Sequence, residues 1–272
     1  MNNCLIPTLF SIATLTATSS LAAPVDLNTW TAESYPSVST FGNGIWTVNG
    51  DGDSVTQSVN GQPTLYYSDF NAQGTAVTGT IRNNGSSDDD YIGFVLGFQP
   101  GDSSNAAADY LLLDWKRSDQ YYDFGQTNDG PPTTAVRGLA LSRVTGIPTA
   151  NEFWGHNDYA LNTSGAVTEL ARGETLGNTP YNFFQDYNFS FDFGPNNLVV
   201  NVDGVQQFNI AGSFSNGRLG FYNFSQANVV YSAFEVEEGS FPNSEVPLPA
   251  SGLLILAGLG ALAVAKRRKE AS

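Results

Sequence analysis

The chain has 272 residues, with 26 acidic and 11 basic side chains and a net charge of −15. Residues 24–245 hold 25 acidic and 7 basic groups, so electrostatic repulsion disfavours nucleic acid as a partner and favours cations. The alternative is that the acidity only keeps a secreted domain soluble. The single cysteine, Cys4, excludes a disulfide framework and a metal site built from several cysteines.

The N-terminal segment is typical of an export signal. Residues 5–21 are apolar and rich in Thr and Ser, and Ser20-Leu21-Ala22 fits the small-x-small cleavage pattern. We therefore predict a signal peptide over residues 1–22, with cleavage after Ala22 or one residue later. No Leu-x-x-Cys pattern leads into Cys4, so a lipoprotein signal is not predicted.

The central segment, residues 24–240, predicts one all-β domain with an antiparallel sandwich architecture. Helical periodicity is hard to find there, whereas short runs rich in Val, Ile, Phe, Tyr and Thr recur between Gly, Asn and Asp. The Asp203-Gly204 pair predicts a two-residue hairpin turn, and Asn216-Gly217 a similar one. Residues 143–177 are predicted to be long and irregular, with one short helix near 151–153. The clearest predicted strands are 91–98, 110–115, 138–144, 189–193, 198–202, 205–210, 219–224 and 229–236.

Three adjacent carboxylates, Asp88, Asp89 and Asp90, precede the strand predicted to begin at residue 91. They repel one another, and a hard divalent cation such as Ca²⁺, which prefers oxygen ligands, would remove that repulsion. Alternation along an extended chain would place Asp88 and Asp90 on one side and Asp89 on the other. The sequence therefore predicts a calcium site, and the alternative is a solvated acidic strand edge that blocks aggregation.

Aromatic and polar residues of the irregular segment are candidate ligand contacts: Trp154, His156, Asp158 and Tyr159. The alternative for each aromatic is core packing. His156 is the only histidine, so a histidine-based zinc cluster is excluded, and no nucleophile elbow accompanies it. No Glu-x-Asp-x-x-Glu arrangement of glycosidase carboxylates is present. We therefore predict a non-catalytic protein.

The C-terminal segment predicts membrane insertion and sorting. After a linker over 241–245, the motif Val246-Pro247-Leu248-Pro249-Ala250 precedes an apolar run, residues 251–265, and a basic cluster, residues 266–269. Fifteen helical residues would span roughly 22 Å, which is shorter than a ~30 Å hydrocarbon core. Basic side chains that snorkel toward the membrane surface would make up part of this difference. The basic cluster would keep the extreme C-terminus in the cytoplasm and the folded domain outside.

This tail, residues 246–272, resembles the PEP-CTERM and VPLPA-CTERM sorting signals of Gram-negative bacteria. The resemblance implies recognition by an exosortase-type enzyme, with initial anchoring in the inner membrane and delivery to the cell surface or the extracellular matrix. The alternative is a plain C-terminal membrane anchor.

Three segments of the central domain resemble the thrombospondin C-terminal domain. Residues 88–99 are similar to its DDDxxGFxFGYQ element, residues 110–116 to YxVxxWKQ, and residues 217–226 to GRLGxFxFSQ, in the same order. The resemblance implies a jelly-roll sandwich of the L-type lectin (concanavalin-like) kind, calcium binding, and a role in adhesion or matrix contact. One departure is that the family's WHTGD-like loop is here Trp154-Gly155-His156-Asn157-Asp158.

Together these observations favour an exported, non-catalytic, calcium-binding surface module that contacts extracellular polysaccharide or a surface protein. Two alternatives remain at this point: a structural coat component without a specific ligand, and a polysaccharide-acting enzyme on the same fold.

Overall fold

Two antiparallel β-sheets packed face to face dominate the computed structural model, which describes residues 22–36, 41–125, 133–156 and 165–238. The predicted all-β antiparallel sandwich is confirmed. The helical elements are α1, Ala150–Gly155, and two 3-10 turns, Leu27–Thr29 and Asp102–Ser104. The strands are β1 Ala23–Pro24, β2 Thr31–Ser34, β3 Trp46–Val48, β4 Ser54–Gln57, β5 Thr64–Asn71, β6 Thr75–Asn83, β7 Tyr91–Phe98, β8 Asp109–Lys116, β9 Gln120–Tyr122, β10 Thr133–Ala135, β11 Gly138–Thr145, β12 Val167–Arg172, β13 Asp186–Phe193, β14 Asn197–Val202, β15 Val205–Ala211, β16 Arg218–Phe224 and β17 Val229–Glu238.

The strand order places the site described below at one end of the sandwich. One sheet has the order β15-β14-β13-β6-β17-β4-β3, with β1 on β17, and the other has β12-β11-β8-β7-β16-β5-β2. Val229 at the start of β17 is opposite Asn83 at the end of β6, and Phe224 at the end of β16 is opposite Tyr91 at the start of β7. The β6–β7 and β16–β17 connections therefore leave the two sheets at the same end.

The alternation predicted along β13 is confirmed. Phe189, Phe191 and Phe193 are buried against the other sheet, whereas Ser190 and Asp192 are half-buried. Period-two alternation of this kind sends one set of side chains into the core.

The hairpin predicted at Asp203-Gly204 is also confirmed. These residues join β14 to β15 with φ values of 50° and 77°. Positive φ at both central residues matches the type I′ turn, whose twist suits paired strands.

The inner core between the sheets is built largely from aromatic rings. The Phe94 ring lies 4.9 Å from the Phe189 ring, and the Phe221 ring stacks on Tyr231 at 4.4 Å, measured between centroids. Gly79 leaves room for the core, because a Cβ there would lie 2.3 Å from the Phe234 ring.

A second core covers the outer face of the seven-stranded sheet. There α1 and neighbouring segments pack on strands β7, β8 and β16, with Phe153 and Trp154 from α1 against Tyr91, Tyr222 and Phe224. The helix begins at a capping box in which the Thr149 side chain accepts from the Glu152 amide and the Glu152 side chain accepts from the Thr149 amide. The seven-stranded sheet is therefore buried on both faces where α1 covers it.

The structure differs from the sequence prediction in one irregular segment, in several unpredicted strands and in one turn. Residues 143–177, predicted to be irregular, contain the predicted short helix and also β12, whose charged, half-exposed residues at the sheet edge conceal the strand pattern. Strands β5 and β6 were not predicted, and neither were the shorter strands β1, β2, β4, β9 and β10. The first five residues of β5 are all buried, because both faces of its sheet are covered, so no polar alternation marks it. The turn predicted at Asn216-Gly217 is not a hairpin, since β15 and β16 lie in different sheets.

Within the described ranges, no helix is long and apolar enough to cross a membrane. The predicted membrane segment 251–265 and the sorting motif, residues 246–250, lie outside those ranges, as do the linker 241–245 and nearly all of the predicted signal peptide.

Candidate functional site

The three adjacent aspartates end the loop between β6 and β7, and the fold brings other polar groups to them. Each of Asp88, Asp89 and Asp90 offers an oxygen within 4.8 Å of the others. The β16–β17 connection supplies Gln226, whose side-chain oxygen accepts from the Asp90 amide at 3.0 Å. Asn60, between β4 and β5, donates from its side chain to Asp88 Oδ2 at 2.6 Å. Three segments distant in sequence thus meet at this acidic end.

Asp88 and Asp90 form a close pair of carboxyl groups. Burial, together with the charge and a hydrogen bond of Asp90, raises the pKa of Asp88 to about 7. Burial also raises the pKa of Asp90, against the opposing effect of the Lys116 ammonium. The ammonium compensates the charge of Asp90 more directly than that of Asp88. Near neutral pH the Asp88 carboxyl group therefore holds a proton for part of the time.

Asp89 has different partners. The Ser118 hydroxyl donates a short hydrogen bond to its carboxylate, and Lys116 Nζ lies 3.3 Å from its Oδ1. Although burial acts to raise the pKa of Asp89, these two contacts outweigh it and lower the pKa. The structure thus brings the three predicted metal ligands together but separates Asp89 from the Asp88–Asp90 pair. Metal binding itself stays a prediction.

Lys116 is a member of this site that sequence reasoning missed. Its side chain is buried at the end of β8, and Nζ donates to Asp90 Oδ1 at 2.6 Å, to the Asp89 carbonyl at 2.9 Å and to Gln120 Oε1 at 3.0 Å. The signal that could have revealed it is its rarity, because it is the only lysine before residue 266. A lone lysine at the end of an apolar strand is placed to neutralise buried carboxylates.

Two of the predicted ligand contacts are buried rather than presented to solvent. Trp154 is 1% exposed, and its indole Nε1 donates to the Gln120 carbonyl at 3.0 Å. His156 is 3% exposed and ends α1 in the left-handed conformation. Their burial favours core packing, the alternative considered above. Asp158 and Tyr159 lie outside the described residues, and ligand contact by all four stays a prediction.

His156 belongs to a buried network of charges under α1. Its Nε2 lies 2.8 Å from Asp114 Oδ2 and its Nδ1 3.7 Å from Glu169 Oε2, and Arg172 holds Glu169 through two contacts of 2.6 and 2.7 Å. Burial acts to lower the pKa of His156, but Asp114 and Glu169 raise it to about 9. Because both ring nitrogens face carboxylates, neither is available to activate a nucleophile. The network anchors α1 to the sheet.

Comparisons with known proteins match two parts of the chain. Residues 42–238 match the family described as Thrombospondin C-terminal region, and residues 245–269 match the PEP-CTERM protein-sorting motif. Both matches fall on the segments whose motifs carry the two resemblances.

Similar proteins are much longer than this chain. Thrombospondin-3b of Danio rerio is 30% identical over 205 residues, which cover 69% of this chain and 20% of that protein. Cartilage oligomeric matrix protein of Bos taurus is 28% identical over 200 residues, which cover 69% and 24%. The chain therefore spans a quarter or less of the length of these relatives. Among solved structures, the carbohydrate binding module CBM66 from Bacillus subtilis aligns with 77% of this chain and 96% of its own, at 14% identity and a TM-score of 0.48.

Proposed function

The chain belongs to the thrombospondin C-terminal family, and we propose that it is a non-catalytic surface module whose acidic end binds calcium. The sorting motif that follows the domain marks the chain as exported. We include in the proposal an exosortase-type enzyme as the sorting partner and the cell surface or extracellular matrix of a Gram-negative bacterium as the destination. Anchoring by the apolar segment 251–265 before processing is also part of the proposal.

The observation that carries the calcium proposal is the convergence of Asp88 and Asp90. Burial and the neighbouring Asp90 carboxylate raise the pKa of Asp88 to about 7, although the Lys116 ammonium lies 2.6 Å from Asp90 Oδ1. Carboxylate oxygens this close together, with a net negative charge even after Lys116 is counted, have the chemistry that calcium prefers. The residues present therefore fit a hard divalent cation.

Neighbouring oxygens would complete the ligand set. Asp88 and Asp90 would hold the ion, with the side-chain oxygens of Asn60 and Ser225, which lie 3.1 Å apart, as further donors. Bound calcium would supply the charge that the carboxylate pair lacks. It would thereby tie the β6–β7 loop to the β16–β17 connection, stabilising this end of the domain.

The geometry of the acidic end supports the non-catalytic part of the proposal. Glycoside hydrolases hold their two carboxyl groups roughly 5 Å or more apart, on either side of a sugar bond. The carboxyl oxygens of Asp88 and Asp90 instead lie within 4.8 Å of each other, beside the buried Lys116 ammonium. Contact with polysaccharide or a surface protein remains part of the proposal, with Trp154, His156, Asp158 and Tyr159 as its predicted contacts.

Thermal unfolding of the full chain tests the calcium proposal. At a calcium concentration of about 100 times Kd, binding adds about 2.7 kcal/mol of stability. For a domain of this size that raises Tm by about 5–10 °C. The Asp88→Asn/Asp90→Asn variant is expected to lose this rise.

A matched control removes the same charge elsewhere. Asp51→Asn/Asp53→Asn changes two exposed aspartates of the turn before β4 and is expected to keep the full rise. If calcium leaves the wild-type Tm unchanged, or if the Asp88→Asn/Asp90→Asn variant responds like the wild type, the calcium proposal is wrong.

Surface delivery has its own test. Pro247→Ala/Pro249→Ala alters the sorting motif but not the described domain. We expect the variant to remain with the inner membrane while the wild type is accessible to protease added to whole cells. Equal surface accessibility of both proteins would contradict the sorting proposal.

A further inference from the structure

Lys116 is the only lysine between residues 1 and 265, and its side chain is fully buried. Burying an ammonium group is unfavourable unless its charge and its three N–H donors are compensated. The two acidic side chains of β8, Asp109 and Asp114, are paired with Arg143 and His156, so the strand itself offers no compensation. The groups that compensate the Lys116 charge must therefore come from outside β8.

The contacts of Lys116 Nζ supply that compensation. Four oxygens lie within 3.3 Å: Asp90 Oδ1, both the carbonyl and Oδ1 of Asp89, and Gln120 Oε1. This is more than three N–H donors can use at once. All of these polar contacts are to oxygen atoms, and the shortest, 2.6 Å, is to Asp90, a member of the pair proposed to hold calcium.

We propose that Lys116 is a built-in competing cation that sets the calcium affinity of the acidic end. The inference rests on the proposed calcium function. Asp90 cannot give its full charge to both the ammonium and a divalent ion, so each weakens the other's contact. Calcium binding and the Lys116–Asp90 ion pair are therefore linked, and the site fills only where calcium is abundant.

The same ammonium also contacts α1, the helix that packs on the outer face of the seven-stranded sheet. Nζ lies 4.8 Å from the centre of the Trp154 ring and 5.8 Å from that of Tyr91. The Tyr91 hydroxyl in turn donates to the Trp154 carbonyl at 2.6 Å. A shift of Lys116 on calcium binding would change the charge facing the Trp154 indole, which gives a spectroscopic readout in α1.

Calcium titration calorimetry on the full chain tests the inference with Lys116→Met. Methionine keeps the length and apolar stem of the side chain and removes the charge. We expect calcium to bind at least tenfold more tightly than to the wild type, because the repulsion between the ammonium and the ion is gone.

The matched control is Arg117→Met. It removes one positive charge at the next position, where the guanidinium packs over the Phe183 ring at 4.3 Å and has no hydrogen bond to Asp88 or Asp90 among the contacts seen. We expect its calcium affinity to stay within about threefold of the wild type. Unchanged or weaker calcium binding by Lys116→Met would overturn the inference. So would an equal gain in both variants.

A second measurement decides the matter if Lys116→Met does not fold. In a full chain carrying Lys266→Arg and Lys269→Arg, Lys116 is the only lysine, so labelling with [¹⁵N]lysine gives one side-chain ammonium signal. We expect this signal to shift as calcium is added, together with Trp154 fluorescence, assigned by its loss in Trp154→Phe.

The two proposals fail in different ways. Heat of calcium binding to the wild type without any movement of the Lys116 signal would refute the inference and leave the calcium proposal standing. No calcium binding by either the wild type or a folded Lys116→Met would refute both. Binding by Lys116→Met alone would refute the calcium proposal for the natural chain, and with it the inference that rests on that proposal.

Discussion

The buried ion pair between His156 and Asp114 predicts a loss of stability as the pH rises from neutral. In the folded protein Asp114 and Glu169 outweigh burial and raise the pKa of His156 from 6.5 to about 9. Between those values the folded protein binds more protons than the unfolded chain, so the free energy of unfolding falls with increasing pH. The stabilisation is fully present below about pH 6.5 and is lost as the pH passes through about 9.

The magnitude follows from the size of the shift. One pKa unit corresponds to 1.36 kcal/mol, so a rise of about 2.5 units corresponds to about 3 kcal/mol. His156 is 3% exposed, so solvent screens the pair little. A loss of this size lowers Tm by roughly 6–12 °C for a domain of this length.

Urea unfolding followed by tryptophan fluorescence at pH 6, 7.5 and 9, without calcium, measures the loss. The control is His156→Asn, because asparagine tolerates the left-handed conformation found at this position, φ 46°, and does not titrate. Its free energy of unfolding should change much less across the same interval. Equal losses in the wild type and the control would refute the assignment of the effect to His156.

Three further predictions concern the core, the close approach of strands β7 and β8, and the acidic end. Phe94→Ala removes a ring packed between the two sheets and should lower the free energy of unfolding by about 3–5 kcal/mol in urea titrations, and a loss below 1 kcal/mol would contradict the described core. Gly93→Ala should prevent folding, because its Cβ would lie 2.0 Å from the Leu113 carbonyl oxygen. The control Gly50→Ala, whose Cβ would have no atom within 4 Å, should lower the free energy of unfolding by less than about 1 kcal/mol. Circular dichroism and the yield of soluble protein distinguish the two variants. Calcium affinity, measured by calorimetry, should fall roughly tenfold per pH unit below about 7, since the ion must displace the proton held at Asp88, and a flat profile between pH 5 and 7 would contradict that proton.

Strands with a simple side-chain pattern were predictable from the sequence. The bounds predicted for β7 match those observed, Tyr91–Phe98, because a long apolar run follows a polar loop. The Asp203-Gly204 turn was predictable because few residue pairs adopt positive φ at two successive positions. In such places local chemistry alone determines the structure.

Elements whose pattern depends on tertiary neighbours were not predictable. The first five residues of β5 are buried because α1 and its neighbours cover the outer face of its sheet. The sequence of β5 itself contains no signal for this burial, because the covering segments are distant in the chain. For the same reason the sequence does not show that Trp154 faces the sheet rather than a ligand.

The candidate site was predictable only in part. The three aspartates predicted as ligands do lie together, with oxygens within 4.8 Å of one another, and Asp89 differs from the other two in its partners. The position of Lys116 beside them depends on the pairing of β7 with β8, which places Gly93 opposite Asp114 and Ile92 opposite Trp115. Register between strands of different sequence segments has no signature in either segment alone.

Diffraction from crystals of the full chain grown with and without calcium tests the central claim most directly. The account predicts one calcium ion in contact with the carboxylates of Asp88 and Asp90 at 2.3–2.6 Å, with Lys116 Nζ farther from Asp90 Oδ1 than in calcium-free crystals. Crystals grown at millimolar calcium that show no ion there, with Lys116 still paired to Asp90, would contradict it.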